Sequence, residues 1–339
     1  MTGPGRRRRP TLADVADIVG VDPSLVSRVL RNDPRGFAST RTRERIVAAA
    51  EKIGYRANAA ARGLRSSRTM ALGLLLPGFT SPVYSAIVHG VEARAKEHGY
   101  GLVLGTHAAG DPHETMTSML MHGSVDALLV ASGRIEDQAL RRLVQEVPQT
   151  VVLVNRQVRG ISASVVLRDA DAAVVAVRHL VELGHRRICG VFGPATLDTM
   201  VRRRHGFATE CAANGVESSA IELPERNHAA GFEAAMRALE RGNPPTAIVA
   251  ATFPMAVGVL AALHQRGIAV PSAMSVLALH DDNLASYLIP PLTAVSLPTE
   301  RLGAEAVELA IAMVGGGQPR RVVVPDEPHI VLRGSTAAP

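Results

Sequence analysis

The sequence predicts an N-terminal all-α domain with a helix-turn-helix, followed by a larger two-part α/β body. Three observations lead there. Short capped helical patterns occupy the first fifty or so residues. From residue 71 on, apolar runs of strand length alternate with longer amphipathic segments. The charge divides at the same place: residues 1–69 carry 15 Lys+Arg against 6 Asp+Glu, a net of +9, and the remaining 270 residues carry 22 against 25, a net of −3. A basic head on a near-neutral body is the electrostatic footprint of a nucleic-acid-binding domain joined to something else.

Composition narrows the classes. At 339 residues with 47% hydrophobic and 20% charged side chains, the chain can bury a large core and is neither disordered nor fibrous overall. Cys189 and Cys211 are too few for a disulfide scaffold, and each lies in an apolar stretch that suits a buried thiol. Arg6 to Arg9 is not followed by the uncharged run of an export signal. The uncharged stretch 242–265 contains Pro244, Pro245 and Pro254, and reads as a strand, a turn at Phe253-Pro254 and a helix rather than a membrane span. We therefore expect a cytoplasmic protein, at the nucleoid when bound to DNA. The sequence contains no HExxH pair, zinc-spaced cluster, nucleophile elbow or phosphate loop, so no enzyme activity, metal or cofactor is expected.

In the head, Thr11 precedes Leu12, Val15, Ala16 and Val19 at helical spacing, and Gly20 stops the helix. Asp22 caps a second helix with Pro23 at its first position, and Val26, Val29 and Leu30 form its apolar stripe. Ser39 caps a third, whose Ile46, Val47, Ala50 and Ile53 face inward while Arg41, Arg43 and Arg45 face outward. In this arrangement the second helix enters the major groove. Its expected exposed positions are Pro23, Ser24, Leu25, Ser27 and Arg28. Arg28 is the candidate base reader, because a guanidinium can bond both O6 and N7 of guanine, which is worth about 1 to 3 kcal/mol of discrimination.

The ordered series TLADVA at 11–16, GV at 20–21, VSRVL at 26–30, TRERI at 42–46 and GYRANAAARGL at 54–64 resembles the N-terminal domain of LacI-family transcriptional regulators. The likeness runs on to Leu332-Arg333. It implies DNA contacts from Ser27, Asn58 and Thr42, with Thr11, Ser39, Tyr55 and Ala61 in the matching motifs, and Arg62 beside a hinge. It also implies that 58–66 forms a helix only on operator DNA and that Leu64 wedges into the minor groove. The alanines at 59–61 favour helix, yet so short a segment is not helical alone in water. Two such leucines in a dimer would kink the duplex. Ala57 replaces a usual proline, Leu25 a frequent threonine, and the loop at Arg31-Asn32 is about two residues longer than usual.

The body shows strand-like runs at 72–76, 101–105, 127–131, 151–154, 187–192, 247–251 and 274–279, separated by helical segments that include 81–99 and 113–122. The resemblance implies a periplasmic-binding-protein-like pair of lobes with a ligand between them. The expected organisation is an arm at 1–10, the helix-turn-helix domain at 11–57, a hinge at 58–69 and an effector-binding and dimerisation domain at 70–334. Lobe one is placed at 70–167 and 298–321, lobe two at 168–297 and 322–334. Motif matching selects Tyr84, Asn155, Arg203, Thr252, Phe253 and Asp281 as effector contacts, with Arg203 facing Asp281 across the cleft. Thr252-Phe253 stands where an Asn-Asp pair is frequent, Leu297 where a polar residue is, and Arg226 where some members have a stacking aromatic. His185 is read as a helix-to-strand cap.

The resulting expectation is a repressor that binds a pseudo-palindromic double-stranded operator as a homodimer, under control of a sugar or related small molecule, without membrane association. Two other readings stay open: a solute-binding protein without operator activity, and a regulator with a non-functional effector pocket.

Overall fold

The computed structural model describes residues 10–30, 38–54, 68–78, 81–106, 116, 118–120, 124–131, 133, 135–147 and 150–339. The expectations for the arm, the loop at Arg31-Asn32, Tyr55, Asn58, Ala61 and Leu64, and most of 113–122 lie outside them. Two compact units divide the chain between Thr69 and Met70.

The first unit holds α1 (Leu12–Val19), α2 (Pro23–Val29) and α3 (Thr40–Lys52). Thr11 and Asp14 form a capping box at the start of α1, and Gly20 closes it with φ 72°, a left-handed turn that costs a glycine little. The Asp22 side chain accepts from Ser24 N and the Ser39 side chain from Thr42 N, so each helix begins on its own cap. Val15, Val19, Val26, Val29, Ile46 and Ala50 form the core. Val47, expected inside, is exposed. Arg45 is exposed, as expected, and its guanidinium reaches back to donate to Val19 O at 2.9 Å, satisfying a carbonyl at the end of α1.

The second unit contains two six-stranded sheets. The first comprises β1 (Ala71–Leu76), β2 (Gly101–Thr106), β3 (Ala127–Val130), β4 (Thr150–Val154), β5 (Ser164–Val166) and β11 (Arg321–Val323), in the order β11-β5-β4-β3-β1-β2. The second comprises β6 (Arg187–Phe192), β7 (Glu217–Glu222), β8 (Ala247–Ala250), β9 (Ser275–Ala278), β10 (Thr293–Ser296) and β12 (His329–Val331), in the order β12-β10-β9-β8-β6-β7. Every pairing is parallel except β10 with β12. Because parallel strands here have both faces covered, β1, β3 and β8 read as unbroken apolar runs, and so do β4 after Thr150 and β9 after Ser275.

Covering helices are α4 (Pro82–Glu97), α5 (Asp137–Glu146) and α10 (Thr299–Val314) on the first sheet. Those on the second are α6 (Asp169–Glu182), α7 (Asp198–Ala213), α8 (His228–Leu239) and α9 (Phe253–Gln265). Two boundaries differ from expectation. Val322 and Val323 pair with Val165 and Val166 in the first sheet, so the return segment of lobe one extends past residue 321. Phe253-Pro254 is the first turn of α9, capped by Thr252, rather than a separate turn, since proline at the first or second helical position removes no helical bond.

The last residues are sewn into the second sheet. Ser335 Oγ donates to Val276 O at 2.6 Å and accepts from Thr293 N at 2.8 Å. His185, predicted as a cap, is a buried hub between Thr246 Oγ1, Ser275 Oγ and the Ala337 carbonyl at 2.8 to 3.0 Å. Burial pushes its pKa below the ordinary histidine value, which keeps the ring neutral. Both cysteines are buried free thiols, and burial pushes Cys211 up to about 11. Among the described residues no helix is long and apolar enough to cross a membrane.

Candidate functional site

In the head, the start of α2 presents Pro23, Ser24 and Arg28 to solvent, as a helix meeting base edges must. Ser27 is 7% exposed, so its expected place among the exposed positions of the helix is corrected: it is buried with Val26 and Val29. Leu25 is partly buried against the same core. The hydroxyls of Ser39 and Thr42 lie 2.8 Å apart, exposed at the start of α3, and Thr11 is engaged with Asp14.

In the body a cavity of about 780 Å³ opens at the carboxyl ends of the strands, lined from both lobes. This is where doubly wound sheets place ligands. Tyr84 on α4, Asn155 after β4, Arg203 on α7, Thr252 and Phe253 all line it. Asn155 sits at φ 54°, a left-handed conformation that asparagine tolerates better than most residues, and its buried Oδ1 has no hydrogen-bond partner among the described residues. Thr252 serves first as the cap of α9, accepting from Met255 N, and its hydroxyl also donates to Arg226 O at 3.4 Å.

Arg203 does not face Asp281. Its guanidinium holds Asp169, which is fully buried, through Nε at 2.8 Å and Nη2 at 2.7 Å, and Nη1 donates to the Ala251 carbonyl. Asp281 accepts instead from Arg333, 2.7 and 3.1 Å away, and lies outside the cavity lining. That pair belongs to the packing of the second lobe, because Arg333 also bonds Leu292 O and Ser286 Oγ.

The residue that reaches the cavity from this segment is His280, which sequence reasoning missed. Its Nδ1–H donates to Asp281 O at 2.8 Å, and Nε2 lies 3.0 Å from Thr299 Oγ1, where α10 begins. Desolvation and then the Arg203 charge push its pKa down, so the ring is neutral near pH 7. The signal was its place beside the two acids at the end of β9, but a His-Asp-Asp run gives no phase.

Arg202 bridges Asp169 and Asp198. Its Nη1 is 2.6 Å from Asp169 Oδ2 and 2.7 Å from Leu167 O, and its Nε donates to Asp198 Oδ2. Asp198 Oδ2 also accepts from Gln157 N at 3.0 Å, a hydrogen bond from lobe one to lobe two at the edge of the cavity. On the lobe-one side Arg156 is buried and paired with Asp137 at 2.6 Å. Among the described residues no group of three or more His, Cys, Asp or Glu could hold a metal ion. The arrangement can bind a small polar molecule and couple its presence to the separation of two lobes.

Comparison with known proteins follows the same division. Residues 11–58 match the family described as bacterial regulatory proteins, lacI family, and residues 177–336 match a periplasmic binding protein-like domain. The chain is 32% identical over 342 residues to the HTH-type transcriptional regulator CelR of Thermobifida fusca, covering 97% of this chain and 99% of the relative. It is 33% identical over 340 residues to the HTH-type transcriptional regulator MalR of Streptomyces coelicolor, covering 96% of each. Among solved structures, a CelR–cellobiose complex superposes with a TM-score of 0.72 at 29% identity, over 96% of this chain and 100% of that one. The lac repressor dimer bound to operator and an anti-inducer shares the fold, with a TM-score of 0.84 at 24% identity over 98% and 100%. With a helix-turn-helix head, two doubly wound sheets about one cavity and relatives matched along nearly its whole length, this chain belongs to the lacI family of HTH-type transcriptional regulators.

Proposed function

We propose that the protein is a homodimeric, cytoplasmic repressor that binds a pseudo-palindromic operator through α2 and releases or grips it according to a small molecule, a sugar or related metabolite, held in the cleft. The observation that carries the reading is the cavity itself, which draws its lining from both lobes, so a ligand there contacts each lobe differently in open and closed states. The cellobiose in the CelR structure supports a sugar-like effector. Arg28 reads a base; Pro23 and Ser24 contact base edges; Thr11, Ser39 and Thr42 position the backbone. Asn58, Ala61, Leu64 and Tyr55 complete the DNA contacts by resemblance alone.

Dimerisation is supported by apolar side chains in water: Leu284, Tyr287 and Ile289 are 59, 81 and 96% exposed, and Leu332, next to the Arg333 that bonds back to this segment, is 66% exposed. The reading is of binding rather than catalysis, since Arg203, which lines the cavity, is held by the buried Asp169 behind it.

Operator selection with the full chain, followed by footprinting, tests the proposal. Protection of a palindrome that is lost in Arg28→Ala supports it. Absence of sequence-specific binding with or without candidate sugars leaves a solute-binding protein instead. A tetrameric mass at micromolar concentration overturns the dimer.

A further inference from the structure

The charges lining the cleft cancel in pairs, with one cationic exception. Arg156 is held by Asp137, Arg203 by Asp169, and Asp198 by Arg202. Glu225 stands exposed at the rim. Arg226, partly buried in the lining, is the one arginine there with no carboxylate in ion-pair distance among the described residues. Its arm lies across Gly193: a Cβ on Gly193 would come 2.5 Å from Arg226 Cγ and 3.1 Å from Cδ. The missing side chain at 193 is what lets the arginine arm lie there.

The backbone adds to this positive field. Helices α4, α8 and α9 all begin at the cavity, through Pro82, His228 and Phe253, and none has an acidic residue in its first turn. Asn227 and Thr252 cap one N–H each on α8 and α9, and the helix dipoles with the remaining first-turn N–H groups favour negative charge at that end. The remaining helix start, α7, already has its carboxylate, Asp198.

Building on the reading of this cleft as the ligand site, we propose that its ligand is an acidic metabolite and that Arg226 receives the anionic group. A guanidinium offers paired donors that match a carboxylate or a phosphate, whereas a neutral sugar leaves the charge uncompensated. The apolar side of the cleft, with Tyr84, Ile87 and Phe253, takes the uncharged part of the same molecule.

The test uses the full chain and inorganic phosphate, titrated against chloride at equal ionic strength and followed by thermal unfolding. Phosphate stabilises the native protein, and Arg204→Gln, which removes an exposed arginine paired with Glu222 outside this cleft, responds alike. In Arg226→Gln the apparent phosphate affinity falls about tenfold, the loss of one charge-assisted contact. Arg226→Lys recovers part of it, and Gly193→Ala, which keeps the charge but displaces the arm, falls between. Glucuronate compared with glucose separates a carboxylate from a phosphate requirement in the same assay.

An equal phosphate response in native protein and Arg226→Gln overturns the proposal. So does cellobiose shifting operator affinity equally in both, an outcome that leaves the effector reading standing. Operator binding is read on the same samples, so failure of the regulator reading shows separately as loss of sequence-specific binding in every protein.

Discussion

On the side of the first sheet the cleft is faced by Val83, Tyr84, Ile87, Ala131 and Val154, with Asn155 and Arg156 at its edge. On the side of the second it is faced by Asp198, Arg203, Arg226, Asn227 and His280, with Phe253 and Met200 between them. The first wall can recognise shape and apolar area; the second can fix orientation through hydrogen bonds and charge. Such a division suits a hinge protein. A ligand held by directional bonds on one lobe leaves the other free to close by burying area, and burial is tolerant of small displacements.

The charged wall carries the largest expected effect. Asp169→Ala leaves Arg203 buried beside no counter-charge and is expected to cost about 3 to 5 kcal/mol in urea unfolding. A loss below 1 kcal/mol means that water from the cavity reaches the guanidinium, and the second wall is then wetter than described. Next in size is the seam between the walls. Asp198→Ala deprives Gln157 N of its acceptor and Arg202 of one of three, and should cost about 1 to 3 kcal/mol. Small-angle scattering should show a larger radius for this variant if the bond holds the lobes together, and an unchanged radius would remove Asp198 from that role.

Acidification separates the lobes by titration. His179, His185 and His280, all in or at the second lobe, have pKa values pushed down by burial, so the folded chain resists protons that the unfolded chain takes up below pH of about 6.5. Stability is therefore complete above that pH and falls as pH drops through the window beneath it. His185→Gln should flatten the midpoint-versus-pH curve, measured by thermal unfolding between pH 7 and 5; a curve of unchanged slope would assign the loss elsewhere. The smallest effect belongs to the apolar wall. Ile87→Leu conserves volume and should cost under about 1.5 kcal/mol while altering ligand affinity, which calorimetry with a bound ligand would register.

Local chemistry was legible in the sequence where one or two residues decide the structure. The caps Thr11, Asp22 and Ser39 announced three helices, and unbroken apolar runs announced the buried parallel strands. What could not be read was phase within a run. In Arg202-Arg203-Arg204 and His280-Asp281-Asp282 every position is chemically suited to a cleft, and only the fold decides which one enters it. Asp281 was misassigned because its partner, Arg333, lies 52 residues away on the closing segment. Ser27 was misread because a hydroxyl on a short helix is compatible with either face until α3 packs against it. Asp169 escaped notice for a related reason, since an acid at a helix start is ordinarily a surface residue.

The crossing of the chain between lobes bears on how the protein is made. Lobe one is incomplete without α10 and β11, and lobe two without β12 and the segment around Ser335. Translation delivers these pieces after all the other strands of the two sheets. The three-helix head can close its core while the ribosome is still far from these segments, but both halves of the body wait for residues beyond 299. A message cut short after β10 would thus yield a head able to fold and two open sheets, each with an unpaired edge exposed to neighbouring chains.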